Sequence, residues 1–356
     1  MARATQAIIN LHALRENYQL AQNSAPNSRA YAVVKANAYG HGVLAVANAL
    51  SAMADGFAVA CIEEAVELRQ GGILLPIMVL EGAMDEQDCQ IALDLDLELV
   101  VHQQQQIQWL KDKAGTLKVW IKVDSGMHRL GFSGQQVPAV ASDLRAMECV
   151  SQVQLMSHFA CADEPDNDFN DYQMQQMNIL APMNLPWSMS NSAAILSRPD
   201  AHRDLVRPGI MLFGASPLKG REATDLQLAH VMTLQSSVIA LHRVMSGESV
   251  GYGRAFVAKQ DSIIAVVAIG YGDGYPRAAA PGTPIVIAGQ RCPLVGRVSM
   301  DMITVDVTHA QVKLGDAATL WGMGLSVDEV AKSCNTLSYE LLCQLTQRVK
   351  FQYLGR

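Results

Sequence analysis

The chain has 356 residues, 50% of them hydrophobic and 17% charged, with a formal net charge of -7. That length supports two domains and a large core, and the acidic balance argues against nucleic acid as a main partner. The N-terminal run Met1-Ala2-Arg3-Ala4-Thr5-Gln6 has no long apolar stretch behind it, and the longest apolar run, near Ile263 to Ile269, is too short to cross a bilayer, so neither a secretory signal nor a membrane span is expected.

Residues 8 to 22 carry apolar side chains at helical spacing (Leu11, Leu14, Tyr18, Ala21). Val33-Val34-Lys35 reads as a strand that ends in the glycine-rich turn Ala36 to Gly42. The alanine-rich stretch Leu44 to Ala52 reads as a helix, Gly56 to Ala60 as a strand, and Ile62 to Arg69 as an amphipathic helix stopped by Gly71-Gly72. Pro76 to Gly82 and Leu97 to His102 read as further strands, followed by a glutamine-rich helix from 103 to 113. Val119 to Val123 and Val153 to Phe159 are strands with a helix near Ala139 to Met147 between them. The acidic stretch 163 to 172 reads as a surface turn.

This alternation over about the first 230 residues predicts parallel βα units, and without a dinucleotide fingerprint it favours a closed (β/α)8 barrel, domain 1–230. From residue 231 to 356 the texture is different. Val231 to Val244, Ser262 to Gly270, Thr283 to Ile287, Arg291 to Val298 and Met302 to Val307 are short β-rich segments, with a last helical pattern at Tyr339 to Leu345, so the fold class is α/β with a mainly β C-terminal domain. The cysteines number seven, with no CxxC pair, which predicts a reduced cytoplasmic protein without a disulfide framework or zinc cluster.

Several stretches could carry chemistry. Lys35 at the mouth of a buried strand is either a carbonyl-attacking amine of lowered pKa or a lysine reaching back to water. On Lys118 to Asp124, alternation puts Val119, Ile121 and Val123 on one face and Lys118, Trp120, Lys122 and Asp124 on the other. In a barrel the polar face points inward, and Lys122 and Arg129 become crowded like charges that call for an anion between them. Arg207-Pro208-Gly209-Ile210 and Ser190-Asn191-Ser192-Ala193 offer backbone N–H groups and small hydroxyls for a phosphate, or are ordinary turns. Tyr252 and Tyr271 each stand between glycines, either as surface aromatics or as phenols presented to a neighbour as proton carriers. A Cys161/His158 nucleophile has nothing around it that suggests acyl transfer.

Taken together, these stretches resemble alanine racemase, a pyridoxal phosphate (PLP) family of fold type III. The resemblance spans essentially the whole chain. It rests on Val34 to Gly42, Asp124 to Gly131, Ser157 to Ala160, Arg207 to Ile210, Val250 to Gly253, Gly270 to Pro276 and Ser299 to Asp301, in that order. The resemblance implies that Lys35 binds PLP covalently and acts as one base, and that Tyr252 is the opposite base, from the second subunit of a head-to-tail homodimer. It implies that Arg207 bonds the pyridine nitrogen and that His158 orients the ring region. Tyr39, Ser192, Gly209, Ile210 and Tyr339 would hold the phosphate, with Asn191 beside them. Arg129 and Met300 would meet the substrate carboxylate, Tyr271 and Asp301 would shape the entrance, and Lys122 would be carbamylated. The implied reaction is interconversion of L-alanine and D-alanine, for peptidoglycan supply or for catabolism. A broader or serine-preferring PLP racemase, a PLP-binding module and a Schiff-base aldolase barrel are the competing readings. The module should lack the β domain and the Tyr252 loop, and the aldolase needs no cofactor-phosphate loop.

Overall fold

The computed structural model describes residues 4–355, so Met1 to Arg3 of the N-terminal run discussed above, and the last residue of the second expected domain, lie outside the described residues. By contacts the chain forms two compact units. One comprises Arg15–Leu212 with Pro217–Arg221, and the other the described residues up to Leu14, Phe213–Ser216 and Glu222 onward. Among the described residues no helix is long and apolar enough to cross a membrane.

The first unit is built on eight strands: β2 (Arg29–Val33), β3 (Gly56–Val59), β4 (Ile77–Val79), β5 (Glu98–Val101), β6 (Leu117–Lys122), β7 (Val150–Met156), β8 (Trp187–Ser188) and β9 (Leu205–Val206). Each pairs in parallel with the next, and β9 returns to β2, which closes the barrel. The expected (β/α)8 barrel is therefore present. Val119, Ile121 and Val123 are buried, as expected of the face that packs on the helices. The opposite face points into the barrel. Tyr31 on β2 donates its hydroxyl to Glu98 Oε1 on β5 at 3.0 Å, a bond between non-adjacent strands that must cross the interior. Trp120 Nε1 donates to Glu98 Oε2 at 2.7 Å, and Lys118 Nζ lies 3.4 Å from Glu98 Oε1. A single buried carboxylate thus gathers three inward-facing donors from β2 and β6, which satisfies polar groups that an apolar core would leave unpaired.

The second unit is an eight-stranded sheet in the order β13-β16-β15-β14-β17-β10-β1-β18. Its members are β1 (Gln6–Asn10), β10 (Met232–Val244), β13 (Ser262–Val267), β14 (Pro284–Ile287), β15 (Gln290–Val295), β16 (Ile303–Asp306), β17 (Ala317–Trp321) and β18 (Lys350–Leu354). A separate pair, β11 (Ser249–Val250) and β12 (Phe256–Val257), forms a short hairpin.

Three expectations need correcting. The helical stretch expected from residue 8 begins at Leu11, where the Asn10 side chain accepts N–H bonds from His12 and Ala13. The preceding residues are β1, antiparallel to β10 and parallel to β18, so partners more than two hundred residues away decide its conformation. The strand expected to reach Lys35 ends at Val33, although Val34 N–H still bonds Ala58 O at 2.9 Å. The acidic stretch 163 to 172 is not all surface turn: the helix Phe169–Asn178 starts within it and buries Asn170 and Gln173.

Candidate active site

Lys35 opens a turn of unusual handedness. Ala36, Asn37, Ala38 and Tyr39 all have φ between 51° and 53°, four consecutive non-glycine residues in the left-handed region. Each costs roughly 1–2 kcal/mol against the right-handed form. Local bonds hold the turn. Asn37 Oδ1 accepts from Val43 N at 2.8 Å, Gly42 N donates to Asn37 O, and the buried His41 ring donates from Nδ1 to Tyr39 O at 2.9 Å. Burial pushes the His41 ring down to about 4, so it stays neutral in this role. At the front of the turn, Ala36 N donates to Glu64 Oε1 at 2.6 Å.

The turn aims Tyr39 at the loop after β9. A Cβ placed on Gly209 would lie 2.8 Å from the Tyr39 hydroxyl, so a larger residue there would push the phenol out of this position. Gly209 N donates to Ser192 Oγ at 2.8 Å, and Ile210 follows at the start of a 3-10 turn. Asn191 accepts from Ala194 N at 3.0 Å and caps the short helix Ser192–Ser197. Four of the expected phosphate contacts, Tyr39, Ser192, Gly209 and Ile210, thus share one corner of the barrel rim, with Asn191 beside them.

Arg207 follows β9 and is buried, with acceptors on three sides. It donates from Nη1 to Ser188 Oγ and from Nη2 to Ser157 O at 2.7 Å, to Met189 O at 3.3 Å and to His158 Nδ1 at 3.4 Å. Burial pushes the guanidinium down to about 10, which leaves it charged at neutral pH. Arginine only donates, so His158 Nδ1 must be unprotonated. Burial, then Lys122, Arg207, Arg129 and Lys35, hold His158 well below the usual imidazole range. The same crowding acts on Lys122 at the end of β6. Burial comes first, then Arg207, Arg129 and Lys35, and together they hold its amine well below the usual lysine range, against a weak opposing pull from Asp124. The expected like-charge conflict is therefore real, and it involves four cations rather than two.

Asp124 is committed elsewhere. Burial would raise its carboxyl, but bonds from His128 N, Gly126 N and the His128 ring outweigh that and lower it. These bonds shape the loop that carries the exposed Arg129.

Among the described residues of the second unit, Tyr252 stands 70% exposed on a 3-10 turn between β11 and β12. Gly251 and Gly253, with φ of 76° and 67°, make that turn possible. Tyr271 and Met300 lie on two loops zipped together by Tyr271 N to Ser299 O and Gly272 N to Met300 O, at 3.1 and 2.8 Å. Arg348 braces both loops, with Nε 3.3 Å from the buried Asp273 and Nη2 2.6 Å from Asp301. Tyr339 is 42% exposed on the helix Ser338–Cys343, whose Ser338 Oγ bonds Asp328. Tyr271, Met300 and Asp301 are brought together, whereas Tyr252 and Tyr339 occupy separate elements.

Glu64, Ser157, Ser188, Gln173 and Arg348 support these groups and were not singled out from the sequence. Gln173 donates to Ser125 Oγ and His158 O and accepts from Ala160 N, all within 3.0 Å. The signals for them are Glu64, an acid in the first turn of a predicted helix, and Ser157, which opens the stretch Ser157 to Ala160.

The donor set fits PLP. A lysine amine, a buried guanidinium and further cations converge with only a weak opposing pull from Asp124, beside a corner in which a tyrosine hydroxyl, a serine hydroxyl and a glycine backbone meet. Residues 9–217 match the family model for the alanine racemase N-terminal domain, and residues 231–353 match that for the alanine racemase C-terminal domain. Alanine racemase of Stutzerimonas stutzeri is 47% identical, covering 99% of this chain and 100% of that one. The biosynthetic alanine racemase of Pseudomonas aeruginosa is 46% identical over 99% of both chains. A crystal structure of biosynthetic alanine racemase from P. aeruginosa superposes with a TM-score of 0.97 at 45% identity, covering 99% of this chain and 100% of that one. The alanine racemase of the D-cycloserine producer Streptomyces lavendulae gives 0.92 at 31% identity, with 100% and 98% covered.

Proposed function

The chain belongs to the alanine racemase family, and from that premise we propose that Lys35, in the cation-rich mouth of the barrel, is the residue through which it works. The enzyme interconverts L-alanine and D-alanine. When bound, PLP supplies the electron sink that makes the amino acid's Cα–H acidic. The rest falls to the chain's own side chains.

Lys35 holds the cofactor and moves the Cα proton on one face. Tyr252, from a second copy of the chain in a homodimer, moves it on the other. Two carriers on opposite faces invert the centre without turning the substrate over. Arg207, which cannot give up its proton at neutral pH, donates to the ring nitrogen and keeps it from being protonated, which moderates the electron sink and disfavours transamination. The neutral His158 orients the ring region. Tyr39, Ser192, Gly209, Ile210 and Tyr339 hold the phosphate, with Asn191 beside them. Arg129 and Met300 hold the substrate carboxylate, Met300 coming from the second copy, and Tyr271 and Asp301 shape the entrance.

Lys122 is carbamylated in this reading. Its amine is pushed towards the neutral, nucleophilic form, and addition of CO2 with loss of a proton converts a fourth cation into an anion beside Arg129. The enzyme works in the cytoplasm.

The observation that carries the reading is the convergence of Lys35, Lys122, Arg129 and Arg207 on one rim, opposed on Lys122 only weakly by Asp124. The test is borohydride reduction of the purified protein with peptide mapping, alongside Tyr252→Phe assayed in deuterated water. Label on Lys35, and deuterium entering Cα from one enantiomer only, are expected. Label elsewhere, or equal loss of both exchanges together with the cofactor, would refute it.

A further inference from the structure

We propose that Glu64 is a positioning residue for Lys35, acting as a clamp between the loops that follow β2 and β3. The inference rests on the reading of Lys35 as the cofactor-bearing amine. Glu64 lies in the first turn of the helix Ile62–Gln70. Its Oε2 accepts from Ala60 N at 2.7 Å, just before the helix cap. That half is ordinary helix-start chemistry, in which an acid of the first turn reaches back to a backbone N–H. The other half is not. Oε1 leaves its own loop and accepts from Ala36 N at 2.6 Å, one residue past Lys35.

The remainder of the left-handed turn is held from within. Ala38 N bonds Val34 O, Gly42 N bonds Asn37 O, and Val43 N bonds Asn37 Oδ1. Ala36 is the first left-handed residue, and its N–H is tied to a separate element. A residue at positive φ next to a reactive amine stays in place only when its surroundings over-determine it. Glu64 supplies that constraint with two short, charge-assisted bonds and anchors it to the barrel through Ala60, whose carbonyl accepts from Glu81 N at 3.0 Å. Ala36 is exposed, so water can replace a lost bond. Removing the clamp should therefore disturb the stance of Lys35 more than it disturbs folding.

The test compares wild type, Glu64→Gln and Glu64→Ala as PLP-loaded enzymes, each also in an Ala36→Gly background, where positive φ is free of strain. Three quantities are read: kcat and KM for alanine, the rate at which hydroxylamine strips PLP, and the pH midpoint of the bound cofactor's visible absorbance. For Glu64→Gln the expected result is kcat lower by about tenfold and stripping faster by a similar factor, the scale of one charge-assisted hydrogen bond. KM should stay within about twofold, since the substrate contacts are untouched. The absorbance midpoint should shift, and Ala36→Gly should recover much of the loss. Wild-type stripping rate and midpoint in Glu64→Gln would overturn the proposal, as would an equal loss in the Ala36→Gly background. If Glu64→Ala does not fold while Glu64→Gln does, the Gln data decide. If both fail to fold and Ala36→Gly does not rescue them, Glu64 is structural and the proposal is wrong. Failure of the underlying reading is separate, since wild-type protein would then carry no reducible label on Lys35.

Discussion

Arg207 donates an N–H to His158 Nδ1 across 3.4 Å, and this contact requires that imidazole nitrogen to be unprotonated. The arginine keeps its proton and the histidine does without one. Ser188 Oγ accepts from Nη1, and Ser157 O and Met189 O accept from Nη2, so the guanidinium is held by a fork that lysine cannot imitate. Arg207→Lys should unfold at a lower urea midpoint, by about 2 kcal/mol for the buried acceptors left unpaired. It should also lose racemase activity by more than the loss of folded protein explains. Equal urea midpoints would contradict the geometry.

Lys122 gives a prediction about CO2. Its amine is held below the usual lysine range by burial and by Arg207, Arg129 and Lys35. More of it is neutral at a given pH than for a surface lysine, and the neutral form attacks CO2. Intact mass under saturating bicarbonate should show one added CO2 that Lys122→Met abolishes. Degassing at mildly acidic pH should lower activity reversibly. An unmodified mass at saturating bicarbonate would remove the carbamate.

His41 couples the turn after β2 to acid. Its folded-state value, lowered by burial to about 4, lies below the usual 6.5. Between those values the unfolded chain binds the proton and the native chain does not, so this contribution is fully present above about pH 6.5 and is lost as pH falls towards 4. The full size is about 3 kcal/mol. Urea titrations at pH 7 and pH 4.5 should show that loss, and His41→Gln should flatten it. A pH dependence unchanged by His41→Gln would contradict the assignment.

Glu98 opens β5, towards the N-terminal end of the barrel strands, away from Lys35, Lys122, His158 and Arg207 at their C-terminal ends. Side chains at that end of a barrel serve stability rather than catalysis. Glu98→Leu strands the Trp120 indole N–H and the Tyr31 hydroxyl and should cost about 3 kcal/mol. Tyr31→Phe, which removes one donor and leaves the carboxylate two, should cost about 1 kcal/mol. Trp120 fluorescence should shift in Glu98→Leu, while activity per folded molecule stays within about twofold. A large loss of activity in the folded fraction would show that the cluster communicates with the mouth.

Reading the chain alone yielded the barrel because βα alternation is a local pattern repeated along it, and yielded Lys35 because the lysine and its glycine-rich turn are contiguous. The inward polar face of β6 was legible too, since a period of two needs no partner to be seen. β1 was not. Gln6–Asn10 is a strand only because β10 and β18 flank it, and the helical residues beyond it hid the change of period. The two-residue strands β8 and β9 fall below any periodicity.

The residues that steady the site fall on the far side of that line. Glu64 is an unremarked helix acid until folding brings Ala36 within 2.6 Å of its carboxylate. Gln173, just past the stretch that read as a surface turn, had no assigned role until its amide met the loops after β6 and β7. What the sequence determined by itself was the family, and with it which side chains are proposed to carry the chemistry, because reactive types are written in short contiguous motifs. Which charges crowd one another, which imidazoles stay neutral and which carboxylates hold the backbone in place were decided only by the tertiary structure, because burial and hydrogen bonding depend on neighbours that the chain order does not name.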